Sequence, residues 1–566
     1  MQNEQYRLSG RKRSPIWQLF DRVVRGTAER AICRNCKKEM QAVLSKISKH
    51  VETCQPAQIN NSSLEDSVAV TQDRSAAATN TGLLSQHKKF KTNSSNQINL
   101  TNFTVKTSKT DKVTLDQEIA NYIYATNTPF QAVEHDQFIK IIRLLNPGYI
   151  PPNRHQVRGD LLDQSFSSVM EAYSEELKGK TVCMAMDGWS NIHNEPILAL
   201  TLLKDGNMYI IDCIDTAESR HTADYLVKVV ECNAEKVKKR FGCTVRSFVT
   251  DSAANIAKMR KELGKDEEII TYGCSAHLLN LFLQDMQISN IKENITEIIK
   301  YFKNHHIPGS LYKAAGGTML VLPVETRWNT IADSVESYLK NWEILVKVCK
   351  DNSEEVDEEI IKKVNNKILK RKTEDYLERM KPITVALDHV QRETTLISDA
   401  VEIWLKLKDD MKEYLTDKTD MDNFEKRISV ALTPAHFLAN MIDPRYEGRR
   451  LTPEQRYVAK KYVCECFPEF LPTLMSFVGK SKPFDDFYFG KGVLETLSPL
   501  AWWDFFSNDF KVNVMNVPRQ LFTAVSSSAG VERVFSTFGY VHSTMINCLG
   551  KEEASKLVTI HKYYNR

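Results

Sequence analysis

The sequence predicts a multidomain protein, part α/β and part all-α, with a small metal-held unit at its N-terminus. Three observations lead there. Four Cys and His side chains stand at ligand spacing near the start of the chain. Strand-like runs separated by turns, with one helical stretch among them, fill 181–250. From 331 onward strand signals nearly vanish and a helical pattern rich in Lys and Glu takes over. At 566 residues the chain exceeds the usual domain size several times, so more than one structural unit is expected and a single small binding module is excluded.

The 42% hydrophobic and 26% charged fractions are those of a globular protein. No apolar run approaches the roughly 18 residues needed to cross a bilayer, so no membrane partner is expected. No apolar segment follows the charged N-terminal residues, and an intracellular, reducing compartment is the expectation. The twelve cysteines are then thiols or ligands. Cys183, Cys213, Cys232 and Cys349 sit singly among apolar neighbours and read as buried structural thiols. The net charge of +4 is unevenly placed: residues 1–50 hold twelve Lys or Arg against four Asp or Glu, which is 12 − 4 = +8. A basic head on a slightly acidic body points to a polyanion, with nucleic acid first.

In chain order, 1–56 is the basic head. Residues 57–112, rich in Ser, Thr, Asn, Gln and Ala, bury too little apolar surface to fold and read as a disordered linker. Residues 113–178 form a helical lead-in. One helix runs over Asp116–Leu145, with Ile119, Tyr122, Ile123, Phe138, Ile141, Ile142 and Leu145 at helical spacing, until Asn146-Pro147-Gly148 breaks it; a second covers Arg158–Leu177. Residues 179–330 form an α/β unit with a mixed sheet. Its strands are Thr181–Met186, Ile197–Leu203, Met208–Ile214 and Thr244–Thr250, and its helices Ala223–Arg240, Ala253–Leu263 and Ser275–Phe302. Residues 331–515 are helical, and 516–566 are helical again around the small-residue run Ser526-Ser527-Ser528-Ala529-Gly530.

Cys33-x2-Cys36 followed by His50-x3-Cys54 supplies the donors that tetrahedral zinc takes, two thiolates on a knuckle and a helix-borne pair one turn apart. So small a unit lacks a core, and metal binding supplies its folding free energy. Trp17 and Phe20 are expected to pack on it. With Ser14, Trp17 and Phe20 ahead of the cysteines, the segment resembles the BED-type zinc finger, a DNA-binding module. Arg11, Lys12, Arg13, Lys37, Lys38, Lys46 and Lys49 are the expected phosphate-facing set, which sets affinity and salt dependence more than sequence choice. A solvated basic face on a protein-binding finger is the alternative.

Asp187 closes the first strand-like run and Asp251 the fourth. Functional groups of open α/β sheets gather at strand ends, and two carboxylates on neighbouring strands can share divalent cations. Either Asp alone is more often a turn former or a helix cap, Asp251 above all, just ahead of a helix. A third acid, Glu532, lies far along the chain in Ser528-Ala529-Gly530-Val531-Glu532-Arg533-Val534-Phe535-Ser536.

From about 140 to the end the chain resembles transposases of the hAT superfamily. The resemblance rests on Asp187-Gly188-Trp189-Ser190, Thr250-Asp251-Ser252-Ala253-Ala254-Asn255, Cys274-x2-His277, Thr326-Arg327-Trp328-Asn329 and the Glu532-Arg533-Val534-Phe535-Ser536 helix. It implies a ribonuclease-H-like core, its first part 179–330, interrupted by the helical insertion 331–515, with a C-terminal dimerisation region in 516–566. It implies that Asp187, Asp251 and Glu532 hold two Mg²⁺ or Mn²⁺ ions for strand cleavage and joining, ions that would stand about 4 Å apart. It implies that Trp328 stacks on a flipped base. Arg327 and Arg533 are natural phosphate partners or, equally, salt-bridge formers. Cys274 and His277 lack a second ligand pair nearby and read as structural or as DNA-end contacts. Glu552 to Val558 resembles part of the dimerisation region, so a dimer or larger homo-oligomer is implied.

One departure stands out: Thr544-Met545-Ile546-Asn547-Cys548-Leu549-Gly550 carries no Lys or Arg where the family commonly has a basic stretch. Its loss removes DNA or partner contacts and is what a decayed or repurposed copy would show. The expected function, from the resemblance, is a nuclear DNA transposase that binds terminal inverted repeats of double-stranded DNA through its finger. Its alternatives are a transposase-derived nuclear DNA-binding regulator without activity and a zinc-and-dimer interaction protein that meets no nucleic acid.

Overall fold

The computed structural model describes residues 19–25, 28–41, 44–54, 107–190, 196–216, 221–265, 269–286, 290–324, 329–415, 417–541 and 549–566. The chain divides into two compact units, Met1–Gln97 and Ile98–Arg566. Most of the expected linker lies outside the described residues.

In the first unit β1 (Phe20–Arg25), β2 (Ala28–Cys33) and β3 (Glu39–Gln41) form an antiparallel sheet in that order, followed by α1 (Leu44–Thr53). Among its described residues the buried side chains are Phe20, Ala31, Cys33 and Ile47. Four such residues bury far too little to offset the entropy of ordering the segment, so the fold needs a staple.

The second unit is mostly helical around a small sheet. It opens with α2 (Lys109–Ala125), α3 (Asp136–Leu145), α4 (Arg154–Arg158) and α5 (Asp160–Leu177). The helix α2 begins inside the span read as linker, because the Ser108 hydroxyl accepts the Asp111 N–H at 3.0 Å and caps it. The single helix expected over 116–145 is two. Asn127 turns left-handed at φ 50°, and Pro129 drives the residue before it out of the α region.

The sheet consists of β4 (Thr181–Ser190), β5 (Pro196–Lys204), β6 (Asn207–Asp215), β7 (Thr244–Thr250) and β8 (Ile270–Gly273), with α6 (Ala223–Phe241) before β7 and α7 (Ala254–Leu263) after it. The order is β6-β5-β4-β7-β8, antiparallel across β6, β5 and β4 and parallel across β4, β7 and β8. Asp205 and Gly206, both at positive φ, make the tight β5–β6 hairpin turn. β8 was not anticipated, since four residues are too few to show a period. β4 also runs on past the Asp187 at which it was expected to end.

Beyond the sheet come α8 (Ser275–Asp285), α9 (Ile291–Asn304) and α10 (His306–Ala314). The first two replace one expected helix, which is broken where Asn290 adopts φ 71°. The helical region then follows as α11 (Thr330–Asp351), α12 (Glu358–Val364), α13 (Lys367–Val390), α14 (Ile397–Asp410) and α15 (Lys418–Ala431). It continues with α16 (Pro434–Ile442), α17 (Pro453–Cys466), α18 (Leu471–Val478), α19 (Lys491–Thr496) and α20 (Pro499–Phe505). The chain closes with α21 (Val512–Leu521), α22 (Ala529–Val541) and α23 (Lys551–Tyr564). One contiguous apolar cluster joins the lead-in, the sheet and these helices. Phe282 of α8 meets Phe424 of α15 edge to face at 5.1 Å, and the Trp404 indole of α14 donates to the Ser275 hydroxyl at 3.3 Å.

Of the cysteines read as buried, Cys183 and Cys349 are buried and Cys213 is half-buried, but Cys232 is exposed on α6. Val230 and Asn233 on either side of it face inward, and the helix leaves Cys232 and Glu231 outside.

His436 of α16 is fully buried and carries a stability consequence. Burial pushes its imidazole down to about 3, whereas in the unfolded chain it titrates near 6.5. The unfolded state therefore binds the proton first as pH falls. Stability is complete above about 6.5 and declines down through about 3, by up to about 1.4 kcal/mol per pH unit. His436→Gln is expected to flatten the acid limb of a plot of thermal midpoint against pH, and parallel limbs for variant and wild type would contradict this assignment.

Candidate functional site

The N-terminal cluster forms as its spacing requires. Cys33 closes β2, Cys36 follows in the turn, and His50 and Cys54 come from α1 and its end. The four donor atoms lie within 4.8 Å of one another. The Cys33 and Cys54 sulfurs stand 3.7 Å apart, and Cys36 Sγ lies 3.1 Å from His50 Nε2. Zinc–sulfur bonds of about 2.3 Å at a tetrahedral angle put two sulfurs about 3.8 Å apart, so the set fits zinc in both chemistry and span. Lys37 holds the left-handed turn of the knuckle at φ 60°, with its N–H donating to the Cys33 carbonyl at 2.9 Å. Burial pushes the Cys33 thiol up, but hydrogen bonds from the Cys36 and Asn35 backbone and from His50 and Cys54 outweigh it and bring it down to about 6. Burial and the neighbouring Cys36 and Cys33 push Cys54 up to about 11. Phe20 packs edge-on to the His50 ring at 5.9 Å, the support expected of it. Lys37, Lys38, Lys46 and Lys49 are exposed, and Lys46 reaches Gln41 Oε1 at 2.5 Å. Arg11, Lys12, Arg13 and Trp17 lie outside the described residues.

In the second unit the strand register brings two acids together. The parallel pairing of β4 with β7 ends at Met186↔Thr250. Asp187 and Asp251 are the next residue on each strand, one step past the shared ladder, and paired positions of neighbouring strands point to the same face. Asp187 is nevertheless inside β4, since it still pairs with Ala199 of β5. It is an open position only on the β7 side. The Asp187 carboxylate accepts the Gly188 N–H at 2.8 Å, and that of Asp251 accepts the Ala253 N–H at 3.2 Å. Asp251 thus also makes the turn that starts α7.

Glu532 arrives by a different route. The Ser526–Ser528 run is a buried extended segment threaded between the β8 end of the sheet and the α13–α14 connection. Its backbone is satisfied on both sides. Ser526 N–H donates to the Thr395 carbonyl at 2.8 Å, Ser275 N–H donates to the Ser526 carbonyl at 3.0 Å, and Tyr272 donates to the Val525 carbonyl at 2.8 Å. The Ser526 and Ser527 hydroxyls both donate to the Val390 carbonyl, at 3.1 and 2.7 Å. Small side chains are needed for so close a fit. α22 then starts hard against the sheet, where a Cβ at Gly530 would come within 3.0 Å of Met208 Sδ. Trp189, two residues past Asp187 on the same strand face, stacks on Phe535 at 5.6 Å and 15°. Phe535 lies one turn beyond Glu532 on one helix face, so this stack sets Glu532 beside Asp187.

Burial and then Asp251 push the Asp187 carboxyl up to about 7. Burial, Asp187 and Asp251 push Glu532 up to about 8 against the opposing pull of Arg533. Three carboxylates are therefore within electrostatic reach in a partly desolvated place, an all-oxygen donor set of the kind a hard divalent cation takes. They are more widely spread than the Cys/His set, which alone among the described residues has three or more donors all within 4.8 Å.

Two groups join them: Arg260, which sequence reasoning did not assign, and His277, read there as structural or as a DNA-end contact. Arg260 of α7 is buried and donates to Thr250 Oγ1 at 2.7 Å and to the Asp251 carbonyl. Nothing in its exposed-looking helical surroundings signals this. His277 is half-buried and depressed by burial, while Asp251 pulls it up and Arg427 and Arg260 push it down. Cys274 is buried and caps α8, accepting the His277 and Ser528 N–H groups at 3.4 Å each, so its role is structural as read. Arg533 takes the salt-bridge alternative, 2.8 Å from Glu393. Arg327 and Trp328 lie outside the described residues, as does 542–548. The Glu552–Val558 stretch packs inside its own chain. Glu553 pairs with Arg158 at 2.7 Å, Lys556 with Asp163 at 2.8 Å, and Leu557 and Val558 are buried.

Residues 152–304 match the family described as a domain of unknown function, DUF659. Residues 474–564 match the hAT family C-terminal dimerisation region, which supports self-association. No curated protein matches the chain. No helix among the described residues is long and apolar enough to cross a membrane.

Proposed function

Starting from an hAT-family transposase or a protein derived from one, we propose that the chain binds double-stranded DNA ends in the nucleus through its zinc finger and cuts and rejoins strands at Asp187, Asp251 and Glu532. The observation that carries this reading is the meeting of three acids from 187, 251 and 532 where the ladder of the neighbouring strands β4 and β7 ends. Chance rarely gathers desolvated carboxylates, because each raises the cost of the next. The β6-β5-β4-β7-β8 order supports a ribonuclease-H-like core, with 331–515 as its helical insertion.

In this reading the three carboxylates hold divalent cations, which when bound supply Lewis-acid stabilisation of charge on the phosphate. The chain's own residues fix the geometry. Arg260 ties down the backbone at Asp251, and the Trp189–Phe535 stack holds Glu532 at its distance. The exposed lysines of the finger bind the phosphate backbone at the DNA end.

The test is cleavage of a labelled duplex carrying the sequence that flanks the gene, with Mg²⁺ or Mn²⁺, by wild type and by Asp251→Asn. Metal-dependent nicking that disappears in the variant is expected. Tight binding without nicking in either protein would instead identify a DNA-binding regulator that has lost the chemistry.

A further inference from the structure

Away from the sheet, the corner between α9 and α10 encloses a pocket of about 500 Å³. Its walls are the end of α9, one face of α10 and the loop over 317–320. His306, Gly309, Ser310 and Lys313 recur at i, i+3, i+4 and i+7, so a single face of α10 lines it. Lys303 and His305 close it from the α9 side. Two lysines and two histidines thus line the cavity, and no carboxylate stands among its described lining residues. Lys303 donates to the Leu320 carbonyl at 3.1 Å, a neutral acceptor that fixes the ammonium at the wall without cancelling its charge. Neither Lys303 nor Lys313 has an acidic partner among the described residues.

The backbone adds to this charge. α10 starts at the pocket without a side-chain cap, because its N-cap His305 directs Nδ1 to the Tyr301 carbonyl at 3.0 Å instead. The first-turn N–H groups of a helix have no partner within it, and its dipole draws anions to that end. The opposite wall is held in place by the fold itself. The Thr318 N–H and hydroxyl both donate to Asn341 Oδ1, at 2.9 and 3.0 Å, and the Tyr312 hydroxyl donates to the Thr318 carbonyl at 2.5 Å. Two glycines allow the walls to meet so closely. A Cβ at Gly309 would come within 2.6 Å of the Phe302 carbonyl oxygen, and one at Gly317 would collide with the Tyr312 ring. Two ammonium groups, the Ser310 hydroxyl and an uncapped helix start on a preformed wall are the donor set that phosphate oxygens take.

We propose that the pocket between α9 and α10 binds phosphate. None of Asp187, Asp251 and Glu532 lines it, so it is a site apart from strand cleavage. It does not rest on catalysis, since an inactive DNA-binding chain would use it equally. The phosphate comes either from a DNA backbone laid across the corner or from a free polyphosphate.

The experiment uses the full-length protein without divalent cation, comparing wild type with a Lys303→Gln, Lys313→Gln double variant. If DNA fills the pocket, the slope of log affinity for a fluorescent duplex against log salt is shallower in the variant by about 1 to 2, the loss of one or two phosphate contacts. If a free polyphosphate fills it, the slopes agree, while tripolyphosphate raises the thermal midpoint of wild type and not of the variant. Equal slopes together with equal tripolyphosphate response would overturn the proposal, and should the chain bind no duplex, the tripolyphosphate response alone decides. Lys313→Gln by itself, exposed on α10 and tied to no other wall, gives the same readouts at about half the size should loss of the Lys303 contact to the loop impair folding. Loss of nicking in the previous test leaves both readouts intact, so the two failures are distinguishable.

Discussion

Removing the metal from the Cys33, Cys36, His50, Cys54 cluster is expected to unfold the N-terminal unit while leaving the second unit's thermal transition in place. The expectation follows from the size of the core. Phe20, Ala31, Cys33 and Ile47 are its only fully buried side chains among the described residues, against a structural zinc contribution of about 10 kcal/mol or more. A strong chelator, or Cys54→Ser, should open 19–54 to protease. Specific DNA affinity should then fall by about a thousandfold, to the level of non-specific attraction. The exposed lysines proposed to meet phosphate would remain in the chain, but no longer on a fixed surface. Protection of this segment that persists after chelation would mean that the cluster is not the staple.

How far the sequence reaches is clear from particular residues. The finger was legible because its four donors lie within about twenty residues and zinc tolerates few spacings. β7 was legible to its ends because Thr244–Thr250 is bounded by a glycine-containing turn and by Asp251. β8 was not, being four residues long. The break after α8 was hidden as well, because apolar residues continue on both sides of it. At the site, Asp187 and Asp251 could be named because each follows a strand-like run, although β4 in fact runs on past Asp187, but that they fall in register needs the ladder. Glu532 was reached through a resemblance. Its nearness to Asp187 depends on Trp189 meeting Phe535 across more than three hundred residues of chain, a contact that no local pattern encodes. Arg260 was missed for the same reason: its burial beside Asp251 is a product of packing, and a single Arg on a short helix carries no signal of it.

Asp187→Asn is expected to reduce strand cleavage by about a thousandfold, equivalent to about 4 kcal/mol of lost charge stabilisation, and at the same time to raise the thermal midpoint of the metal-free protein. The two effects share one cause. Folding raises Asp187 from 3.8 to about 7 and Glu532 from 4.5 to about 8. A carboxyl whose folded value lies above its unfolded one favours the folded state at low pH, and that contribution is lost as pH rises through the folded value. Near neutral pH the gathered acids therefore strain the fold, and replacing one by an amide relieves both the desolvation and the repulsion. In a protein of this size a change of one kcal/mol moves the midpoint by about 1 °C, so the relief of a few kcal/mol reads as a gain of a few degrees. A cation that binds only the folded triad relieves the same strain in wild type. At a hundred times its dissociation constant it adds about 2.7 kcal/mol. Mn²⁺ should accordingly raise the midpoint of wild type and leave that of Asp187→Asn nearly unchanged. A variant that is less stable than wild type, with an equal response to Mn²⁺, would show that Asp187 is a structural turn acid. The proposed role of Asp187 in strand cleavage would then fall.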